Sequence, residues 1–135
     1  MTERFVFHLA LPVNDLEASK RFYVRVLGAR VGRETAEWLD VLLWGHQLTL
    51  HHRPGETLPR DRQGKRHFGV VLPWTDWERL ADHVRADASF MRAPEIFEAG
   101  TRDEHGKFYL EDPSHNVIEI KAYRDAGTTL KLDPE

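Results

Sequence analysis

Three side chains that can bind a divalent metal interrupt short apolar runs of this sequence: His8 in F-V-F-H-L-A-L, His67 in H-F-G-V-V-L and Glu119 in V-I-E-I. Two imidazoles and one carboxylate make a facial triad, which holds a metal through three ligands and leaves positions open for substrate or water. The alternative is simple alternation, in which a polar side chain marks the wet face of a strand and has no further role. The strands that carry these residues help to decide between a metal site and simple alternation.

The first half of the chain predicts a strand, a helix and three more strands. The strands are predicted over residues 4–12, 29–34, 37–44 and 46–52, the last two joined by a turn at Gly45-His46. The apolar face of the first strand is predicted to carry Phe5, Phe7, Leu9 and Leu11. Asn14 is predicted to cap the helix, with Glu17 completing a variant of the capping box and Gly28 ending the helix.

The second half repeats this plan, and the motif Pro-x-[Asn/Thr]-Asp stands before the helix in both halves. Its strands are predicted over residues 67–74, 94–98, 106–112 and 116–123. Thr75 and Glu78 form a T-x-x-E capping box for the second helix. A repeated βαβββ unit predicts an α+β fold, with one domain over 1–135, modules at about 4–52 and 67–123, and a linker at 53–66.

Alternation places the candidate ligands on one kind of face. In each strand concerned, the apolar side chains share the face that a helix should cover, and His8, His67, Glu119 and Gln47 fall on the opposite face. His51 lies on the same face as Gln47, where an exposed strand-end histidine is the simpler interpretation. This common placement favours a shared metal site, although the long spacing is not a self-sufficient metal motif.

Two segments leave alternatives open, and composition limits the partners. The basic linker 53–66 is either solvated or a clamp for a substrate anion, and the polar tail 124–135 is expected to fray or form an arm. The chain has 135 residues, a net charge of −3 and no cysteine. We therefore expect no nucleic-acid partner, no disulfide or thiol chemistry, no membrane span and a cytoplasmic location.

Four stretches resemble the vicinal oxygen chelate superfamily of glyoxalase I, fosfomycin and bleomycin resistance proteins and extradiol dioxygenases. They are 8-HLALPVNDLEASKRFYVRVLG-28, 44-WGHQLTLHH-52, 67-HFGVVL-72 and 108-FYLEDPSHNVIEI-120, with His115 where glycine is usual. The resemblance implies a curved mixed sheet with a concave cleft and the helices on its outer face. It also implies a homodimer, a common form of small oligomers.

The resemblance assigns metal ligation to His8, His67 and Glu119. Gln47 stands where glyoxalase I usually has a glutamate ligand and larger dioxygenases have a catalytic histidine, and an amide carries neither charge nor a transferable proton. Tyr109 occupies the position of the active-site tyrosine of extradiol dioxygenases, with a core or rim tyrosine as the alternative. His105, predicted in the loop Thr101–Gly106, is a candidate general acid or base if it is not simply a solvated loop histidine.

These assignments predict a metal-dependent enzyme that acts on a small organic substrate chelated through two oxygens. Two His and one Glu favour Fe(II) or Mn(II), with Zn(II) or Ni(II) as further options. Gln47 and Tyr109 favour dioxygenase-like chemistry slightly over a glyoxalase-like lyase or isomerase. A different class of function is a metal-free protein that sequesters a small ligand in the same cleft, with the three ligands vestigial.

Overall fold

The computed structural model describes residues 3–130, and the chain divides into two compact units. Unit 1 contains the residues up to Lys65 together with Asp112–Asn116, and unit 2 contains Arg66–Glu111 and the residues from Val117 onward. Each unit carries one four-stranded mixed sheet and one α-helix. The predicted α+β fold of two βαβββ modules is confirmed.

Unit 1 consists of β1 (His8–Val13), α1 (Leu16–Arg25), β2 (Arg30–Glu34), β3 (Trp38–Leu43) and β4 (His46–His52). The strand order is β1-β4-β3-β2, with β1 parallel to β4 and the other pairs antiparallel. Alternate residues of β3 and β4 build the core under α1, and the fully buried ones are Leu39, Val41, Leu48 and Leu50. The register of β1 and β4 places His8, Gln47 and Thr49 on the opposite face of the sheet, which α1 does not cover and which we call the helix-free face.

The first strand is shorter than predicted, and its first two aromatic residues lie outside the core. Phe5 is 99% exposed and Phe7 is 65% exposed. The partner strand β4 begins at His46, so only Phe7 still has backbone contact with it, accepting a hydrogen bond from the amide of Gln47 at 2.9 Å. Alternation correctly orders the faces here, but no second layer covers the first residues of the segment within unit 1.

The helix caps and one turn differ from the sequence prediction. Asp15, not Asn14, caps α1 by accepting a hydrogen bond from the amide of Ala18 at 3.0 Å. Asn14 instead donates its backbone amide to Ser114 Oγ at 2.9 Å. The β3–β4 turn is formed by Trp44 and Gly45, both at positive φ, which is typical of a two-residue hairpin.

Tyr23 fixes α1 to the Asp112–Asn116 turn inside unit 1. Its ring is fully buried, and its hydroxyl donates to Asp112 Oδ2 at 2.8 Å. Burial, and then the nearby Asp112 carboxylate, raises the Tyr23 pKa well above its usual value. Asp112 also accepts from the amides of Ser114 and Asn116, while His115 takes a left-handed backbone with φ of 67°. The turn keeps the geometry that a glycine favours, although histidine occupies the position.

Unit 2 consists of β5 (Phe68–Val71), α2 (Trp74–Asp87), β6 (Arg92–Phe97), β7 (His105–Glu111) and β8 (Val117–Tyr123). The strand order β5-β8-β7-β6 repeats that of unit 1, with β5 parallel to β8. Trp77 of α2 donates to the Ile120 carbonyl at 3.0 Å and packs on Phe108. The helix therefore covers the Phe108 and Ile120 face, and residues of opposite parity face away from it.

The predicted Thr75–Glu78 capping box is wrong, because α2 already begins at Trp74 and Pro73 precedes it without a side-chain cap. Proline restricts φ to helix-compatible values, which suits the entry to a helix. The early start of α2 also limits β5 to four residues, against the eight predicted.

As far as residue 130, the linker and the tail contain short 3-10 turns, Pro54–Glu56, Arg60–Arg62 and Ala126–Thr128. The last five residues of the predicted tail, 131–135, lie outside the described part. Neither helix described between residues 3 and 130 is long and apolar enough to span a membrane.

Candidate functional site

His67 and Glu119 lie on the helix-free face of unit 2. His67 directly precedes β5, and Glu119 sits in the middle of β8, where Gly69 of β5 is its register partner. The distance from His67 Nε2 to Glu119 Oε2 is 3.8 Å, and their side chains are 40% and 11% exposed. Two of the three predicted ligands are thus neighbours, with the histidine open to solvent and the carboxylate largely covered.

Glycine at position 69 is what allows β5 to lie against Glu119. A Cβ atom built on Gly69 would collide with the carbonyl oxygen of Glu119. The same two residues line a cavity of about 300 Å³ together with His67 and Lys121. The G in 67-HFGVVL-72 therefore leaves space on the side of the sheet that carries the candidate ligands.

Tyr109 of β7 stands directly across from Glu119 of β8. Desolvation, followed by a side-chain hydrogen bond with Glu119 and the charge of that carboxylate, raises the pKa of Tyr109 to about 12. The Tyr109 ring also lies edge-on to His67, with ring centroids 6.0 Å apart. Tyr109 is therefore a neutral hydrogen-bond donor at physiological pH, in contact with both candidate ligands of unit 2.

Two basic side chains lie near Tyr109 and Glu119. Lys121 Nζ lies 3.8 Å from Glu119 Oε1, and the guanidinium carbon of Arg92 lies 5.9 Å from the centre of the Tyr109 ring. One carboxylate oxygen of Glu119 thus faces an imidazole and the other faces an ammonium group. The surroundings stabilise negative charge on Glu119 and on any anionic ligand that binds beside it.

His105 was predicted to lie in a loop, but it is the first residue of β7. Its Nδ1 contacts the carbonyl oxygen of Asp103 at 2.8 Å, and its ring stacks on Phe97 with centroids 5.3 Å apart. Because a carbonyl oxygen only accepts hydrogen bonds, Nδ1 carries the proton in this contact. His105 shares the helix-free face with Tyr109 but lies four residue pairs along β7 and β8 from the Tyr109–Glu119 pair.

The remaining candidates belong to unit 1. His8 opens β1, is exposed, and is the register partner of Gln47 on β4. Gln47 is half-buried, and its Nε2 lies 3.5 Å from Asp40 Oδ2, the outer limit of a hydrogen bond. His51 lies on the same helix-free face, half-buried, opposite Trp38. His8 and Gln47 are therefore adjacent, as expected from alternation.

Asp40, a second acid within an aliphatic strand, was not among the predicted site residues. Its side chain is 6% exposed on the helix-free face, where it pairs with Arg33 Nε at 2.9 Å and accepts from Thr49 Oγ1 at 2.7 Å. The run W-L-D-V-L-L carries the same signal as V-I-E-I. Asp40 thus places a partnered carboxylate next to Gln47.

The donor atoms can be compared with the needs of a divalent metal. Among residues 3–130, no three His, Asp or Glu side chains form a group able to hold an ion. The chemistry of the donors nevertheless fits: an accessible imidazole and a carboxylate lie side by side in unit 2, and a second accessible imidazole lies on the equivalent face of unit 1.

Known proteins give a consistent result. The model of the Glyoxalase/Bleomycin resistance protein/Dioxygenase superfamily matches residues 6–120. A glyoxalase/bleomycin resistance protein/dioxygenase from Alicyclobacillus acidocaldarius is 29% identical, with a TM-score of 0.83 over 93% of this chain and 96% of its own. Virulence protein STM3117 of Salmonella typhimurium is 25% identical over 119 residues, which are 86% of this chain and 82% of that protein.

A more distant structure shares the fold alone. The fosfomycin resistance protein FosX of Listeria monocytogenes is 15% identical, with a TM-score of 0.70 over 90% of this chain and 94% of its own. The repeated βαβββ plan, the helix-free faces and the family match over residues 6–120 agree. The chain belongs to the Glyoxalase/Bleomycin resistance protein/Dioxygenase superfamily.

Proposed function

We propose that this protein is a divalent-metal-dependent enzyme acting on a small organic substrate that chelates the metal through two oxygens. The observation that carries the proposal is the pairing of His67 Nε2 and Glu119 Oε2, 3.8 Å apart, on a helix-free face beside a cavity. His8 supplies the third ligand. The favoured ions are Fe(II) or Mn(II), with Zn(II) or Ni(II) also compatible with two imidazoles and a carboxylate.

A bound ion would act as a Lewis acid on the chelated substrate oxygens. Tyr109 stays protonated at the Glu119 side of the site, and its single hydroxyl proton would go to a substrate oxygen only in place of Glu119. Lys121 and Arg92 favour negative charge at the same place. His105 would act as general acid or base through Nε2, because its Nδ1 is bound to the Asp103 carbonyl oxygen.

Dioxygenase-type chemistry on a catechol is the reaction we favour. Both atoms of O₂ would enter the product as one ring C–C bond breaks, so no further reductant is required. Two features support this choice: Gln47 brings no fourth charged ligand, and Tyr109 lies beside Glu119. A glyoxalase-like isomerisation or lyase reaction would instead need a group able to move a proton at the Gln47 position.

A metal-free protein that binds and sequesters a small molecule is the second candidate. It is favoured by the observation that no three metal-binding side chains form a group within residues 3–130. In that case the basic and aromatic surroundings of Tyr109 would bind the ligand alone. A homodimer and a cytoplasmic location are also proposals, carried by the resemblance and by composition respectively.

The test is a chelator titration of the purified protein, followed by turnover of a catechol and, separately, of a thiohemiacetal. We expect catechol cleavage to be lost on chelation and restored by Fe(II). Turnover of the thiohemiacetal alone would favour the isomerase. Full binding of an organic ligand by the chelated protein, without turnover of either substrate, would exclude the enzyme and favour sequestration.

A further inference from the structure

A second and larger cavity, of about 600 Å³, lies on the same helix-free face of unit 2, between strands β6 and β7. Tyr109 borders it and separates it from Glu119, its partner across β7 and β8. The volume lies within the range of sites that hold small organic molecules. None of the candidate metal ligands lines it, so its role needs a separate explanation.

Two cations in this cavity are held by aromatic rings and not by acids. The guanidinium of Arg92 lies over the Tyr109 ring at 5.9 Å, and Lys107 Nζ lies 4.6 Å from the centre of the Phe97 ring. Within residues 3–130, neither cation has an ion pair or a hydrogen bond to another side chain. Their N–H donors are therefore available to a ligand.

One acid lines the same cavity. Glu95 is the register partner of Lys107 across β6 and β7, but the two form no ion pair in the described part of the chain. The charged side chains of the lining are Arg92, Lys107 and Glu95, so its formal charge is positive by one. A single negative charge on a ligand would balance it.

We propose that this cavity binds the carboxylate of a small, planar, ring-containing ligand, with Arg92 and Lys107 on the oxyanion and the edges of the Phe97 and Tyr109 rings against the ligand ring. A guanidinium matches a carboxylate through two parallel N–H donors, and Lys107 adds a point charge. The inference rests on the proposed function and deepens it: the substrate would carry a carboxylate on the Arg92 side of its chelating oxygens.

The experiment compares benzoate with benzamide, which has nearly the same shape but no charge. The full chain is stripped of metal with a chelator and dialysed, so that binding reports the cavity alone. Binding is followed by amide NMR shifts at low salt. We expect benzoate to bind about tenfold more tightly than benzamide, the discrimination that one charge-assisted contact gives.

Three variants sharpen the test. Arg92→Gln and Lys107→Gln should each remove most of the preference for benzoate, and Glu95→Gln should increase it because it removes the opposing charge. Arg79→Gln is the matched control: it removes one positive charge from the exposed surface of α2, where Arg79 lies 3.8 Å from Asp76. That variant should keep the full preference.

Equal binding of the two compounds by the native protein, or a full preference in both Arg92→Gln and Lys107→Gln, overturns the inference. Mn(II) binding is measured on the same proteins. Native Mn(II) affinity in Lys107→Gln together with a lost benzoate preference supports a separate carboxylate site. A benzoate preference in a protein that binds no metal would leave this site standing while the proposed metal-dependent function fails.

Discussion

Tyr109 and Glu119 face each other across strands β7 and β8, and the tyrosine hydroxyl donates a hydrogen bond to the carboxylate. The contact has two consequences. It adds to desolvation, the larger cause, in raising the pKa of Tyr109, and it gives Glu119 a neutral neighbour that need not leave when a cation binds. Lys121 Nζ lies 3.8 Å from Glu119 Oε1 and is the group that a metal ion would repel.

The raised pKa of Tyr109 predicts a pH dependence of stability. Tyrosine ionises near pH 10 in an unfolded chain and Tyr109 near pH 12 in the fold, so the fold holds this proton more tightly. The resulting stabilisation is complete below about pH 10 and is lost as the pH rises towards 12. We expect the free energy of unfolding of native protein to fall more steeply across this interval than that of Tyr109→Phe.

Urea denaturation at several pH values measures this difference. Tyr123→Phe, which removes a hydroxyl from β8, is the matched control, and Tyr23 contributes equally to all three proteins. Parallel curves for the native protein and Tyr109→Phe would show that the fold does not raise the pKa of Tyr109.

The proposed metal ligands predict a loss of ion affinity in single variants. His8→Ala, His67→Ala and Glu119→Gln should each weaken Mn(II) binding by at least about tenfold, since even changes to the hydrogen-bond partners of ligands have effects of this size. Affinity should also fall as the pH is lowered, because protons compete for imidazole nitrogens. Calorimetric titration provides the measurement.

His83→Ala is the control for histidine loss, because His83 lies on α2 with Asp87 as its neighbour at 3.2 Å. It should bind Mn(II) as the native protein does. If His8→Ala binds Mn(II) with native affinity and the other two ligand variants do not, the site is restricted to His67 and Glu119.

Alternation along the strands predicted most of the fold and the helix-free face that carries the candidate ligands of unit 2. It gave the bounds of β4 and β8 to within one residue and the face shared by His67 and Glu119. It failed at Phe5 and Phe7, because periodicity shows which side chains share a face but not whether a second layer covers them. The cap of α1 failed because Asn14 and Asp15 can compete for the same amides, and that of α2 failed because the helix begins at Trp74, before Thr75.

Asp40 shows a different limit of prediction from the sequence. Its partners, Arg33 and Thr49, come from two neighbouring strands, so their contact with Asp40 depends on register and not on spacing along the chain. A charge within an aliphatic run was visible in the sequence. Its relation to Gln47 became apparent only with strand β3 placed beside β4.

Gln47→Glu is predicted to tighten Mn(II) binding, because a carboxylate stabilises a divalent ion more than an amide does. The structure adds a condition, since Gln47 Nε2 lies 3.5 Å from Asp40 Oδ2 and the new carboxylate would oppose an existing one. We therefore expect the gain to be larger in the Asp40→Asn background than in the native one. Calorimetry on both backgrounds measures it.

Gln47→Met, which has no charge and a similar length, is the control for lost amide contacts. Unchanged affinity in Gln47→Glu on both backgrounds would place Gln47 outside the ligand shell.

Gly69→Ala tests whether the close approach of β5 to β8 builds the site. The added methyl group would collide with the backbone of Glu119, so β5 must shift or the sheet must open at this point. We expect the free energy of unfolding to fall by about 2 kcal/mol or more, at the upper end of overpacking effects, and Mn(II) binding to weaken because Glu119 moves. Gly55→Ala is the control, since nothing lies within 4 Å of a Cβ at that position and the change should stay within about 0.5 kcal/mol. Urea denaturation and Mn(II) titration of both variants provide the measurements. A Gly69→Ala protein with native stability and native metal affinity would mean that the strands can separate here without moving Glu119.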